Sequence, residues 1–221
     1  MMPDSIRSGR ANKPAGAGRP KDLAKRAAIL EAAKRMFTRN GFEGASMDQI
    51  ATEAGVSKLT VYSHFGDKDT LFVAAVRAYC EQQLPSSLFQ TEAPGMPLRE
   101  RLLAIARAFY VMVSKPEAVA GHRVLCSPQL SDSPLPRMFW DAGPQRVQDE
   151  FAALLRRRIA AGELDIADVG RAAAQFFTLV KGEPHAQLVF GCCDPMGEDG
   201  IESHLAASVD LFLRGYGVHR R

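Results

Sequence analysis

Three residues that start helices follow one another at short intervals in the first third of the chain. Ser46, Ser57 and Asp67 are of the types that cap helix N-termini, because their side-chain oxygens accept a hydrogen bond from a free amide one turn later. Gly55 and Gly66 shortly precede the second and third caps, and glycine adopts the left-handed conformation that ends a helix at little cost. The spacing predicts two helices of about two turns each, joined by a tight turn, with a further helix after them.

Two short helices joined by a tight turn form a helix-turn-helix, whose second helix enters the major groove of DNA. On that second helix Val61 and Phe65 are four residues apart and are predicted to face Ile50 of the preceding helix. The side chains predicted to point outward are Lys58, Leu59, Thr60, Tyr62, Ser63 and His64. A cation, hydroxyls and a surface aromatic are suited to phosphates and base edges. Lys68 and Ser46 each stand at a helix start, where free amides favour a phosphate; capping alone is the alternative role for Ser46.

The positive charge is concentrated in the first third of the chain. The net charge is +3, yet residues 1–70 carry 12 Lys and Arg against 8 Asp and Glu, whereas residues 71–221 carry 16 against 17. Residues 1–20 have no apolar periodicity and contain several glycines and prolines. They are predicted to form a disordered basic arm suited to a polyanionic partner, with a solubilising tail as the alternative.

Helical periodicity continues through the rest of the chain, and no alternating strand pattern competes with it. The first helix is predicted from Asp22 to about Gly41, with Leu23, Ala27, Leu30, Ala33 and Phe37 on its buried face. Later helices are predicted over about 68–84, 98–113, 116 onward, 134–162 with a break at Gly143-Pro144, 167–190 and 200–213. Pro184 should bend the helix that contains it near Val180, because its ring removes a backbone hydrogen bond. The fold class is therefore all-α.

These residues resemble the DNA-binding domain of TetR-family transcriptional regulators. The resemblance covers about 50 residues and is carried by Arg26, Ile29-Leu30, Ala32-Ala33, Phe37, Gly41-Phe42, Ser46–Ala51, Ala54–Lys58, Thr60–Tyr62, His64-Phe65, Lys68 and Leu71-Phe72. It implies a three-helix DNA-binding domain over 21–67, after the arm of residues 1–20. It also implies a larger helical effector-binding and dimerisation domain over 68–221. Residues Lys58, Thr60, Tyr62 and His64 would contact the operator and Lys68 a phosphate.

The second half is similar to the AefR-like C-terminal domain carried by some of these regulators. The similarity lies in Phe139–Pro144 and Leu179–His185. The family resemblance implies a homodimer on a palindromic operator, formed through the last two helices, about 167–190 and 200–213, and released by a small effector. Candidate pocket residues are Phe109, Met112, Cys126, Trp140, Phe176 and Phe177. They suggest a largely apolar effector, with ordinary core packing as the alternative for each.

Other classes of protein are disfavoured by the motifs. The chain contains no Gly-rich phosphate loop, G-x-S-x-G or H-E-x-x-H, so we expect no enzyme and no cofactor. His122 and Cys126 are spaced like metal ligands, with His185, His204, Cys192 or Cys193 as further candidates; a buried thiol beside a hydrogen-bonded imidazole explains them better, and no metal is expected. A redox role for the adjacent Cys192 and Cys193 stays an alternative.

No run approaches the roughly 18 apolar residues that span a bilayer, and the N-terminus lacks the apolar core of a signal peptide. We therefore expect a cytoplasmic, nucleoid-associated protein without a membrane partner. The sequence predicts a ligand-responsive transcriptional repressor. The alternative from another class is a helical sensor with vestigial DNA affinity, or one that acts through a protein partner.

Overall fold

A computed structural model describes residues 19–90, 96–192 and 195–218 of the chain, and this part is almost wholly helical. A single isolated β-bridge joins Leu164 and Gly217, so the predicted all-α class is confirmed. The helices are α1 (Arg19–Gly44), α2 (Met47–Ala54), α3 (Lys58–Phe65), α4 (Lys68–Gln83), α5 (Ser87–Gln90), α6 (Leu98–Ser114), α7 (Pro116–Leu125), α8 (Leu135–Ala142), α9 (Pro144–Ala160), α10 (Val169–Phe190) and α11 (Glu198–Tyr216).

Most of the buried apolar side chains of the described residues fall into two groups. The N-terminal core comprises Ile29, Leu30, Ala32, Ala33, Met36, Ala45, Met47, Ile50, Ala51, Val61, Phe65, Leu71 and Ala75. The C-terminal core is built around the phenylalanines Phe72, Phe89, Phe109, Phe151, Phe176, Phe177 and Phe212. Helix α4 contributes to both, because Leu71 and Ala75 belong to the first core while Phe72, Val76 and Cys80 belong to the second. Adjacent positions on a helix point about 100° apart, so one helix joins the two cores.

The start of α1 differs from the predicted pattern. Leu23 and Ala27 were predicted to be buried, yet both are exposed, and apolar burial on α1 begins only at Ile29. Helical spacing identifies one face of a helix, but it does not say how far along that face a neighbouring helix extends. The predicted basic arm falls largely on residues 1–18, which lie outside the described residues, and Arg19 already belongs to α1.

Helix α10 is interrupted where Pro184 was expected to bend it. The non-helical residue is Gly182, with φ 49° and ψ −158°, two positions after the predicted Val180. Proline has no N–H to donate to the carbonyl four residues before it, which here is the carbonyl of Val180. His204 on α11 takes over that role, because its Nε2 lies 3.0 Å from the Val180 oxygen. A carbonyl only accepts, so this ring nitrogen carries the hydrogen.

The interruption of α10 predicts that alanine substitution affects stability differently at two glycines. A Cβ on Gly182 would lie 2.6 Å from His204 Cε1 and would require an alanine at φ +49°, whereas a Cβ on Gly121 in α7 would meet nothing within 4 Å. Gly182→Ala should therefore lower the free energy of unfolding by about 1–3 kcal/mol. Gly121→Ala, the matched control, should leave it unchanged or raise it by up to about 1 kcal/mol. Denaturant unfolding measures both, and equal stability of the two variants would contradict this account of the break.

Candidate nucleic-acid interface

The first helix of the helix-turn-helix begins at a complete capping box, as predicted. Ser46 Oγ accepts from the Gln49 amide at 3.2 Å, and Gln49 Oε1 accepts from the Ser46 amide at 3.1 Å. The helix ends at Gly55, which has φ 66°. In this left-handed conformation the Gly55 amide turns back to the carbonyl of Thr52 at 3.1 Å. The tight turn is thus fixed by local hydrogen bonds.

The caps of the next two helices are also present. Ser57 Oγ accepts from the Thr60 amide at 3.2 Å, and Asp67 Oδ1 accepts from the Thr70 amide at 2.7 Å. The bond from the Thr70 amide lowers the pKa of the Asp67 carboxyl, because it stabilises the charged form. Gly66, with φ 75°, separates α3 from α4. Local signals therefore set the lengths of α2 and α3 and the start of α4.

Helix α3 buries the two predicted residues and exposes a mixed face. Val61 and Phe65 are buried in the N-terminal core. Lys58, Leu59, Tyr62 and Ser63 are exposed, Leu59 by 79%, while Thr60 is half-buried and its hydroxyl lies 2.8 Å from that of Ser57. Contact with a base methyl group would remove the apolar side chain of Leu59 from water, which is favourable. The exposed face is suited to a DNA groove.

Lys58 has a partner that sequence reasoning missed. Its ammonium lies 2.8 Å from Asp48 Oδ1 on α2, and the hydrogen bond to Asp48 raises the pKa of Lys58. Both side chains are more than half exposed, so the pair is weak and a phosphate can compete for the ammonium. No sequence signal marks the pair, because the turn between α2 and α3 brings together residues ten positions apart.

His64 does not face outward, so that prediction is wrong. Only 12% of its side chain is exposed, and Nε2 lies 3.1 Å from Asp22 Oδ1 on α1. The guanidinium of Arg26 covers the ring of the neighbouring Phe65, 5.1 Å from its centroid. The first turns of α1 thus cover the end of α3. Periodicity within α3 does not reveal this, because the covering helix lies more than 35 residues earlier in the chain.

Lys68 also points inward. Its Nζ donates to the carbonyl of Phe42 at 3.0 Å, and only 26% of its side chain is exposed. Of the predicted DNA-contact set, Ser46, Lys58, Leu59, Tyr62 and Ser63 are exposed, whereas Thr60 and Lys68 are partly buried. The accessibility of Lys68 to a phosphate is limited by the groups that already surround its ammonium.

The predicted effector-pocket residues do not converge on one open cavity. Phe109, Met112, Phe176 and Phe177 are buried in the C-terminal core, where the rings of Phe109 and Phe177 pack 4.5 Å apart. Trp140 and Cys126 are exposed instead. Two shallow grooves lie on the surface of the described residues, and neither is lined by any of these six. The four buried residues therefore belong to the packed C-terminal core, and the two exposed ones lie apart from it.

The histidines on α7 and α10 pack against each other. The rings of His122 and His185 are 5.5 Å apart, and burial lowers the pKa of His185 to about 4, with His122 and Lys181 adding to the effect. The ring is therefore neutral at pH 7. No group of three or more His, Cys, Asp or Glu suited to a metal occurs within the described parts of the chain. Cys193 lies outside these residues, and Cys192 is exposed.

Among the helices of the described residues, none combines the length and the hydropathy needed to cross a bilayer.

The two halves of the chain match two family descriptions. Residues 29–75 match bacterial regulatory proteins of the tetR family, and residues 100–218 match the AefR-like transcriptional repressor C-terminal domain. The capped helix-turn-helix joined to a larger helical domain is thus a transcriptional regulator. The chain belongs to the TetR family and carries an AefR-like C-terminal domain. Members of this family are DNA-binding, ligand-responsive regulators, usually repressors, and not enzymes.

Individual relatives agree with this assignment. A TetR-family regulator from Mesorhizobium loti is 28% identical, with a TM-score of 0.74 over 90% of this chain and 99% of its own. The flavonoid-responsive regulator FrrA is 31% identical, with a TM-score of 0.69 over 89% of this chain and 98% of its own. The transcriptional activator FasR of Mycolicibacterium smegmatis is 36% identical over 103 residues, 44% of this chain and 46% of FasR. The match thus spans less than half of FasR.

The exposed face of α3 predicts loss of DNA binding without loss of folding. Leu59→Ala and Tyr62→Ala should each weaken specific DNA binding about 5- to 150-fold, because a base contact contributes about 1–3 kcal/mol. Melting temperatures should hardly change, since both side chains are exposed. Fluorescence anisotropy and thermal unfolding measure the two effects.

The matched control for these variants is Val61→Ala on the opposite face of α3, which is buried. It should lower the free energy of unfolding by about 1–3 kcal/mol. If Tyr62→Ala unfolds the protein as readily as Val61→Ala, the assignment of the two faces of α3 is wrong.

Proposed function

We propose that this protein is a homodimeric repressor that binds a palindromic operator and is released by a small, largely apolar effector. The observation that carries the proposal is the double burial of α4, which begins at the helix-turn-helix and packs into the C-terminal core. A ligand that repacks the C-terminal core would therefore move the start of α4. Operator binding requires access to the chromosome, so we expect the protein in the cytoplasm at the nucleoid.

DNA binding by a dimer sets a distance requirement. Two recognition helices must lie about 34–36 Å apart to enter successive major grooves on one side of the duplex. Each protomer would supply the exposed face of α3. Lys58, Leu59, Tyr62 and Ser63 would face the major groove, and Ser46 would lie near the phosphate backbone of the DNA. A tilt of α4 that changes this spacing would cost contacts at one half-site, so the spacing is the quantity that an effector would control.

The outer face of α10 and α11 supports dimerisation through these helices. A shallow groove of about 590 Å³ runs between them. Its lining is Arg171, Ala174, Gln175, Thr178, Leu179, Leu211, Phe212, Gly215 and Tyr216. Small residues such as Ala174 and Gly215 would allow a second helix pair to approach closely, and Leu211 is 49% exposed. Packing a second copy here would bury this apolar surface.

Leu211→Glu should convert the dimer into monomers, because two charges would be buried against each other across the two-fold axis. Sedimentation should give half the wild-type mass, and the footprint on the upstream DNA should shrink from two half-sites or vanish. Val124→Glu, which changes an exposed residue on α7, is the matched control and should leave mass and footprint unchanged. A dimeric Leu211→Glu protein would rule out this surface.

The effector would act on the packed phenylalanines of the C-terminal core. Gly143, between α8 and α9, already approaches α4 so closely that a Cβ there would lie 3.1 Å from Cys80 Sγ and 3.2 Å from Val76 Cγ1. A small displacement of α8 or α9 would therefore press directly on α4. A coupling free energy of about 1–3 kcal/mol between the effector site and the DNA-binding site changes the affinity for the operator about 5- to 150-fold. The flavonoid response of FrrA supports an aromatic effector.

Flavonoids and other aromatic compounds, titrated against the preformed protein–DNA complex, should include one that releases the DNA. Met112 is buried in the C-terminal core, so Met112→Trp should fill the space that the compound opens and block release while DNA binding persists. Met96→Trp, at an exposed position outside that core, should respond like wild type. If Met112→Trp releases the DNA at the same compound concentrations as wild type, the location of the effector is wrong. A promoter reporter whose signal falls after deletion of the gene would contradict repression.

A further inference from the structure

A second shallow groove lies beside α4, on the part of the surface where the helix-turn-helix meets the C-terminal helices. Its volume is about 530 Å³, within the range of small-molecule sites, which occur preferentially where structural units meet. The residues that line it come from α1, α3, α4 and α9, and we call it the α1–α4 groove. They are Arg26, Leu30, His64, Phe65, Thr70, Val73, Ala74, Arg77, Ala78, Glu81 and Arg146.

Part of the α1–α4 groove is apolar. Leu30 and Phe65 belong to the N-terminal core and are buried, whereas Val73, Ala74 and Ala78 are partly exposed. These side chains give the groove an apolar wall. A ligand with an apolar body would remove the exposed part of this wall from water, which is favourable.

Two arginines in the groove have no carboxylate partner. Arg26 on α1 and Arg77 on α4 are both exposed, and within the described part of the chain neither forms an ion pair or a hydrogen bond. The guanidinium of Arg26 lies over the ring of Phe65, 5.1 Å from its centroid, which holds it at the groove. The carboxylate of Asp22, one turn before Arg26, lies 3.1 Å from His64 Nε2 instead.

Other arginines of this protein do have carboxylate partners. A carboxylate oxygen lies 2.6–3.2 Å from the guanidinium groups of Arg35, Arg99, Arg107, Arg137, Arg146, Arg158 and Arg171. The contrast shows that Arg26 and Arg77 carry positive charge that no side chain of the described residues neutralises. Such a pair of cations on two helices, facing one groove, favours an anionic ligand.

The acidic residue of the groove is already occupied. Glu81 lies one turn after Arg77, at a spacing that allows an ion pair. Its Oε1 instead accepts from the Ser86 amide at 2.9 Å, and its Oε2 accepts from Arg146 Nη1 at 2.7 Å. The bond from the Ser86 amide, with Arg146 adding to it, lowers the pKa of Glu81, because both stabilise the charged form. The charge of Arg146 is thus balanced, and the excess of positive charge lies at Arg26 and Arg77.

We propose that the α1–α4 groove binds a small carboxylate with an apolar body, such as an aromatic acid. Its carboxylate would accept hydrogen bonds from Arg26 and Arg77, because a guanidinium presents paired N–H donors that match two carboxylate oxygens. The apolar body would lie along Leu30, Val73 and Ala74. This site is separate from the C-terminal core, and the proposal holds whether or not that core takes an effector.

The experiment is a calorimetric titration of the full-length protein, without DNA, with three probes. Naphthoate carries both features, naphthalenemethanol has the ring system without the charge, and inorganic phosphate has the charge without an apolar body. We expect naphthoate to bind at least about tenfold more tightly than either of the others, because each of them lacks one of the two contributions. Equal binding of the alcohol or of phosphate would overturn the proposal, as would the absence of naphthoate binding at millimolar concentration.

Variants at exposed positions test the two arginines. Arg77→Gln and Arg26→Gln should each weaken naphthoate binding about 5-fold, and Arg77→Glu, which reverses the charge, more than about tenfold. Arg156→Gln is the matched control, since Arg156 is exposed on α9, has no ion pair within the described residues and lies outside the groove. It should bind naphthoate like wild type. Circular dichroism should show that all four variants fold, because an exposed side chain contributes little to the core.

Met112→Trp separates the α1–α4 groove from the C-terminal core, in which Met112 is buried. Naphthoate in the groove should bind to this variant as it does to wild type. Loss of binding in Met112→Trp, together with wild-type affinity in Arg77→Gln, would place the compound in the core and overturn the proposal. No DNA is present in these titrations, so a failure of the proposed repressor function would leave their outcome unchanged.

Discussion

The double burial of α4 is the constraint on which the rest of this structure depends. Leu71 and Ala75 pack into the N-terminal core while Phe72, Val76 and Cys80 pack into the C-terminal core. A helix with two buried faces cannot shift in one core without shifting in the other, because packed interiors transmit displacement instead of absorbing it. The DNA-binding helices and the larger helical domain are therefore mechanically continuous even though their apolar cores are separate.

Two interruptions of the helical backbone are stabilised by side chains from elsewhere in the fold. The carbonyls of Phe42, at the end of α1, and of Ala45, just after it, are bound by Lys68 of α4. The carbonyl freed by Pro184 in α10 is bound by His204 of α11. In each case the interrupting residue is a glycine with positive φ, Gly41 or Gly182. A buried carbonyl without a partner costs free energy, so these contacts decide where the chain can change direction.

The outer surfaces and the C-terminal core differ in their accessibility. The exposed face of α3 and the groove between α10 and α11 are open to solvent, as the exposed side chains of Leu59 and Leu211 show. The aromatic C-terminal core is closed, with Phe151 and Phe176 rings 4.4 Å apart. Binding of an effector there would have to separate packed rings, and the free energy of that separation is what would link the effector to α4.

The sequence by itself determined the elements whose causes are local. Ser46, Ser57 and Asp67 set the starts of α2, α3 and α4, because capping acts within one turn. The helical periodicity likewise determined the all-α class. Only the tertiary structure decided which outward positions stay accessible. His64 is covered by the first turns of α1, and the ammonium of Lys68 is drawn to the end of the same helix. The physical reason is that a helical period defines directions around one axis, whereas the groups that meet a side chain in a given direction come from distant parts of the chain.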